Sequence, residues 1–112
     1  MTPLELAREF VTRFTAGQVD RLEELLASDL EFRGPLLCCD DRDGYLSRLR
    51  ERPPEFAEFR ILGEVGDELS AALVWEYSKA ATSITIAGHF QIERERIRAI
   101  RLVFDTAQLA PA

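Results

Sequence analysis

The 112-residue sequence has little of what marks a membrane or secreted protein. No apolar run approaches the roughly 20 residues that a membrane-spanning helix requires, and the start MTPLELAREF lacks the basic-then-apolar layout of a signal peptide. The only two cysteines are adjacent, Cys38-Cys39, and adjacent cysteines do not form an ordinary disulfide. We therefore expect a cytoplasmic protein with two free thiols.

Positive charge is also scarce. The chain has 14 Lys and Arg against 20 Asp and Glu, a formal net charge of −6, and its arginines mostly alternate with glutamates, as in ERERIR. Binding to nucleic acid or to anionic lipid draws its affinity from clustered basic residues. The sequence therefore predicts no nucleic-acid partner and no membrane partner, and a solvated surface of mixed charge.

What is present is the composition of one globular domain. Hydrophobic residues make up 46% of the chain and charged residues 30%, with no repeat and no linker-like run of Gly and Ser. The length suits a single core. We expect one domain over residues 1–106 and a flexible tail over residues 107–112.

Three helices are predicted in the first half of the chain. Thr2-Pro3-Leu4-Glu5 is a capping box that should start the first helix, and Gly17 should end it. A second helix is predicted over 19–27. A third is predicted to end at Pro53-Pro54, and its candidate N-caps are Asp40, Asp41 and Asp43.

Strands dominate the rest. Leu30–Arg33 alternates as a short strand before Gly34-Pro35. Four later strands are separated by short connections, which favours an antiparallel meander; they are Phe56–Val65, Leu69–Ser78, Thr82–Glu93 and Ile97–Asp105. The order ααβαββββ predicts an α+β domain with three helices packed on one face of a curved, mainly antiparallel sheet.

Three stretches resemble the NTF2-like superfamily, the cone-shaped, cystatin-like fold of ketosteroid isomerases, limonene epoxide hydrolases and SnoaL-like polyketide cyclases. REFVTRFTAGQVDRLEELLASDLEFRGPL resembles the family's opening, DGYLSRL its third helix, and IAGHFQIERERIRAIRLVFDTAQL its closing hairpin. The resemblance implies a SnoaL-like cone. It does not imply a function, since this fold hosts enzymes and non-enzymes alike.

The resemblance also implies where catalytic groups would lie. The isomerase base corresponds to Gly34, its tyrosine to Phe10 and its second acid to Gly88, and none of these can transfer a proton or donate a side-chain hydrogen bond. The epoxide hydrolase acid corresponds to Leu102, and the strand expected to supply an arginine offers only Glu76. Neither mechanism is supported, whereas the cyclase acid is left unplaced.

Eight mainly aromatic side chains are candidates to line the cone and to bind a ligand: Phe10, Phe14, Phe32, Trp75, Tyr77, Phe90, Leu102 and Phe104. If part of that space is open it is an apolar pocket, and if it is close-packed the side chains are simply core. Our first hypothesis is a protein that binds a small apolar molecule. The alternatives are a polyketide cyclase- or isomerase-like enzyme with a displaced acid, and a protein-interaction module with a filled cone.

The polar candidates are few. An enzyme would use Asp40, Asp41 or Glu76 as the acid and Tyr45 as a hydrogen-bond donor, although the aspartates first suit helix caps. Strand alternation places Glu76 outward, opposite to Leu73, Trp75 and Tyr77. The Cys-Cys pair beside two aspartates lacks the positive surroundings of a reactive thiolate and the spacing of a zinc site. We expect no metal and no cofactor.

The outer face of the sheet is predicted to join two copies of the chain. His89, Arg101, Val103 and Asp105 alternate onto that face, and an ion pair between Arg101 and Asp105 would suit a sheet interface. The resemblance implies a homodimer through this surface, to which Ala99 and Val103 would contribute.

Overall fold

Residues 1–109 are described by a computed structural model, in which three helices pack on one face of a six-stranded sheet. The helices are α1 (Pro3–Thr15), α2 (Val19–Leu22) and α3 (Arg42–Glu51). The strands are β1 (Leu26–Arg33), β2 (Cys38–Cys39), β3 (Glu58–Gly66), β4 (Ser70–Lys79), β5 (Thr82–Glu93) and β6 (Arg96–Val103). Two 3-10 turns, Glu23–Leu25 and Thr106–Leu109, complete the order.

The start of α1 confirms the predicted capping box. The Glu5 N–H donates to Thr2 Oγ1 at 3.1 Å, and the Thr2 N–H donates to Glu5 Oε1 at 3.0 Å. The helix ends at Thr15, and Gly17 follows with φ +73°, a left-handed conformation that favours glycine. Its buried face lies against β3, β4 and β5.

The second helix is shorter than predicted. Helical geometry stops at Leu22 and a 3-10 turn follows, so that Leu26 already begins β1 rather than lying in a helix through Ala27. Leu26 is fully buried opposite Ile97 of β6, and this pairing overrides the local helix propensity. The predicted strand Leu30–Arg33 is therefore the second half of β1.

The cysteines form a short strand that the sequence analysis did not predict. Phe32 pairs with Cys39 and Arg33 with Cys38 in an antiparallel β1–β2 ladder, closed where the Gly34 N–H donates to Leu37 O at 2.9 Å. Asp41 then caps α3 by accepting from the Gly44 N–H at 2.6 Å. One of the three candidate aspartates is thus the cap.

The antiparallel meander is confirmed, with strand ends that differ from the predicted ones by at most two residues. The sheet order is β2-β1-β6-β5-β4-β3, and β1 runs parallel to β6, which makes the sheet mixed. No helix within residues 1–109 is long and apolar enough to cross a membrane. Of the predicted tail, 107–109 lie in the last 3-10 turn and 110–112 lie outside the described residues.

Candidate functional site

The concave face of the sheet gathers the predicted lining residues. Alternation along β4 turns Leu73 and Trp75 toward the helices, and Gly88 and Phe90 of β5 face the same way. Four of the eight candidates are nearly fully buried, namely Phe10, Phe32, Trp75 and Phe90. The other four are partly buried and pack against this core, namely Phe14, Tyr77, Leu102 and Phe104.

The deep part of the cone is packed with aromatic rings. Phe90 meets Phe10 edge to face with ring centroids 5.7 Å apart, and the Trp75 ring lies 6.5 Å from Phe90. Gly88 faces these rings: a Cβ there would lie 2.9 Å from Trp75 Cζ3 and 3.0 Å from Leu102 Cδ2. Strand β5 carries a glycine at this point because the Trp75 indole occupies the space of a side chain.

The shallow end of the cone is partly open to solvent. We call the partly buried group of Phe14, Phe59, Tyr77, Leu102 and Phe104 the rim cluster. Phe59 and Tyr77 are cross-strand neighbours, and Leu102 pairs with Gly88. The Ala57 N–H donates to Thr15 O at 2.9 Å and holds the end of α1, with Phe14, beside the start of β3. Tyr77 and Leu102 thus lie close to the ends of β4 and β6, two strands that run in the same direction.

Phe59 is the member of the rim cluster that the sequence analysis missed. Its signal was the alternation of Phe59 and Ile61 in β3, which both turn toward the core. Burial raises the pKa of Tyr77, and its hydroxyl, which is protonated at neutral pH with or without this shift, can donate a hydrogen bond.

The candidate acids lie on the outside of the molecule. Asp40 is largely exposed and its Oδ1 accepts from Arg33 Nη2 at 2.7 Å, while Asp41 is occupied as the cap of α3. Glu76 faces outward, as the alternation predicted, and pairs with Arg60 at 3.7 Å. Each of these carboxylates thus has a polar partner within the protein.

Tyr45 and Cys39 are buried in the packed core, whereas Cys38 is exposed. The Tyr45 ring is buried and stacks on Phe32 with centroids 4.4 Å apart, and burial raises the pKa of its hydroxyl. Cys39 is buried and Cys38 is exposed, and desolvation raises the pKa of the Cys39 thiol. Within residues 1–109, no group of three His, Cys, Asp or Glu side chains is arranged to hold a metal ion.

Gly34, the position that the family resemblance implies for an isomerase base, lies in the β1–β2 turn. Gly34 follows the last residue of β1, and a Cβ there would lie 3.4 Å from Cε1 of the Phe32 ring. The backbone at this point therefore faces an aromatic side chain that is itself stacked on Tyr45.

The outer face of the sheet carries an apolar row beside a polar one. Val74, Ala87 and Val103 are in register across β4, β5 and β6, and Val74 and Val103 are exposed. The neighbouring row contains His89 and Arg101, both exposed. Within residues 1–109 of the single chain, Arg101 and Asp105 do not pair with each other, and Asp105 Oδ1 accepts from the Ala107 N–H at 2.9 Å. An ion pair across a sheet interface stays a prediction.

Solved structures with this architecture are numerous. An NTF2-like protein of unknown function from Cytophaga hutchinsonii matches with a TM-score of 0.77 and 16% identity, over 97% of this chain and 95% of that chain. A putative ketosteroid isomerase from Kribbella flavida matches with a TM-score of 0.79 and 16% identity, over 92% and 77%. A SnoaL-like polyketide cyclase from Agrobacterium tumefaciens matches with a TM-score of 0.72 and 14% identity, over 97% and 95%.

No protein-family model matches the chain, and no curated protein matches it. At such low identity the structural matches establish the fold alone. They confirm the predicted cone-shaped NTF2-like fold, which proteins named for isomerase and cyclase chemistry share with proteins of unknown function.

Proposed function

We propose that this protein binds a small apolar molecule at the rim cluster, above the Trp75 ring. The observation that carries the proposal is that the five large side chains of the rim cluster are only partly buried while each packs against the buried core. Apolar binding sites are concave and lined by aromatic side chains with a few polar groups. Here the polar group is the Tyr77 hydroxyl.

The packed interior limits the ligand. Because Trp75 and Phe90 fill the deep part of the cone, the ligand rests on the indole and does not enter beneath it. The ligand is therefore small and flat, and one of its sides stays close to solvent. Contact with aromatic faces supplies most of its affinity, since burial of apolar area is the main source of binding free energy at such a site.

The proposal is one of binding without acid–base catalysis. A general base must reach the carbon acid within hydrogen-bond distance. The candidate carboxylates Asp40, Asp41 and Glu76 already have partners on the outer surface, and Gly34, Phe10 and Leu102 stand at the positions implied for the isomerase and epoxide hydrolase groups.

Trp75 is the only tryptophan, so its emission reports directly on the proposed site. Titration with an uncharged naphthalene probe is expected to change Trp75 fluorescence in a saturable way. Phe104→Ala should weaken the probe's affinity roughly tenfold, because one aromatic contact is worth about 1.4 kcal/mol or more. The matched control is Phe56→Ala, which removes a phenylalanine that is 72% exposed and outside the rim cluster.

An unchanged emission, or an equal loss of affinity in both variants, would contradict the binding site. The filled cone would then favour the interaction module over the binding protein.

Activity toward a 3-oxo-Δ5-steroid that survives Asp40→Ala and Asp41→Ala would contradict the exclusion of isomerase chemistry.

We also propose that the outer sheet face joins two copies of the chain. The apolar row Val74–Ala87–Val103 can pack on its own symmetry mate. Glu31 lies beside Arg33 and Arg101 on the same face, in a groove of about 320 Å³. A two-fold axis through this face would therefore bring carboxylates of one copy to guanidinium groups of the other.

Sedimentation velocity tests the dimer. The protein is expected to sediment as a dimer at micromolar concentration, and Val103→Glu should convert it to a monomer because it would bury a charge in the apolar row. Leu69→Glu is the control, since Leu69 is 72% exposed in the β3–β4 turn. A monomeric parent protein, or a dimer that tolerates Val103→Glu, would refute this interface.

A further inference from the structure

Four arginines line one groove at the end of the sheet opposite the rim cluster. The groove has a volume of about 460 Å³ and lies where the β5–β6 turn meets the start of β1 and the start of α3. Its basic residues are Arg42, Arg94, Arg96 and Arg98. The sequence pattern ERERIR suggested a solvated mixed-charge surface, but the fold brings Arg42, from a distant part of the chain, to the same place.

Three of these guanidinium groups are held in position by the protein. Arg96 Nη1 donates to Glu24 O at 2.7 Å, Arg98 Nε contacts Asp29 Oδ2 at 3.0 Å, and Arg42 Nη1 donates to Leu26 O at 3.5 Å. The Arg96 bond uses one of the five N–H donors of that side chain. Most donors of Arg96 therefore remain for a ligand, and its orientation is already restricted before binding.

Arg94 completes the groove from the tip of the turn. Both Arg94 and Glu95 have positive φ, 52° and 63°, so the hairpin closes tightly and sets the Arg94 side chain at the edge of the groove. Arg94 forms no ion pair with any residue in the described part of the chain. Ser28 adds a hydroxyl to the lining.

Acidic residues limit the size of any anion that can bind. Asp29 and Glu93 lie in the groove itself, and Glu23 contacts Arg42 at 3.7 Å from one side. These carboxylates repel a long polyanion such as nucleic acid, whose charges extend past the arginines. A compact anion can contact the guanidinium groups without approaching these carboxylates as closely as a long polyanion would.

We propose that this groove binds a small ligand that carries a phosphate or pyrophosphate group. Guanidinium groups match phosphate oxygens through paired N–H donors. The arginines approach from α3, from β6 and from the β5–β6 turn, and a tetrahedral phosphate accepts hydrogen bonds from several directions, whereas a carboxylate accepts mainly in its plane. The site is independent of the rim cluster, since β5 runs its whole length between them.

Titration of the 15N-labelled protein with inorganic pyrophosphate at constant ionic strength tests the proposal. Saturable amide shifts are expected at 27–29 and 93–98, and not at the rim cluster. Arg94→Gly should weaken pyrophosphate binding about tenfold, since it removes charge-assisted hydrogen bonds. This variant should fold normally because glycine favours the positive φ of the turn. Arg96→Ala is a second variant with the same expected loss.

Arg52→Ala is the charge-matched control. Arg52 is exposed at the end of α3, away from the groove, and forms no ion pair with the described residues, so its loss should leave pyrophosphate affinity unchanged. Equal weakening by Arg52→Ala would show a general charge effect and overturn the site, as would the absence of saturable shifts. Saturation by citrate but not by pyrophosphate would overturn the assignment to phosphate.

Discussion

Replacing Trp75 with alanine is expected to lower the free energy of unfolding by about 3–5 kcal/mol, the usual cost of truncating a large buried aromatic side chain. Trp75 is 4% exposed, and its ring packs against Phe90 and fills the space in front of Gly88. Urea denaturation followed by far-ultraviolet circular dichroism measures the loss, because the variant has no tryptophan to report by fluorescence.

A chemical rescue gives the same prediction a second readout. The cavity left by Trp75→Ala is lined by apolar side chains, so indole is expected to bind in it and raise the melting temperature. Trp75→Phe is the control, since it leaves less empty volume and should cost less and respond less to indole. A loss below about 1 kcal/mol for Trp75→Ala would contradict a packed cone, given the range for such truncations.

Much of the fold could be predicted from local patterns. The capping box at Thr2, the two-residue alternation of the last four strands and their short connections each depend on neighbours in sequence, and each is confirmed. The second helix was predicted too long because Leu26 pairs with Ile97, about seventy positions away. Local propensity contains no information on such a partner.

The sequence predicted which residue types line the cone, but it did not predict which of them are fully buried and which are partly exposed. Alternation identified Trp75 and Phe90 as inward, yet only the three-dimensional structure distinguishes side chains that fill the cone from those that stay partly exposed at its rim. The arginine groove depends on Arg42 meeting the β5–β6 turn, a contact between distant segments. The periodicity of a sequence does not predict contacts between distant segments, so from the sequence these arginines indicated only a solvated surface.

Gly88→Ala is expected to destabilise the protein by about 1–2 kcal/mol even though alanine is the better strand residue. Overpacking a core typically costs about 1–3 kcal/mol, and removing a glycine recovers about 0.5–1 kcal/mol of backbone entropy. The new Cβ would lie 2.9 Å from Trp75 Cζ3 and 3.0 Å from Leu102 Cδ2. The indole is a rigid ring fixed by its neighbours, so it cannot move aside at low cost.

Gly63→Ala provides the matched control in the same sheet. A Cβ at Gly63 has nothing within 4 Å, so this variant should be neutral or slightly more stable.

In a Trp75→Leu background the cost of Gly88→Ala should largely disappear, since the smaller side chain leaves room for the methyl group. The resulting double-mutant coupling separates a clash with Trp75 from a general intolerance of β5 to substitution. Equal costs of Gly88→Ala in both backgrounds would place the clash elsewhere, and the floor of the proposed binding site would then not be the indole.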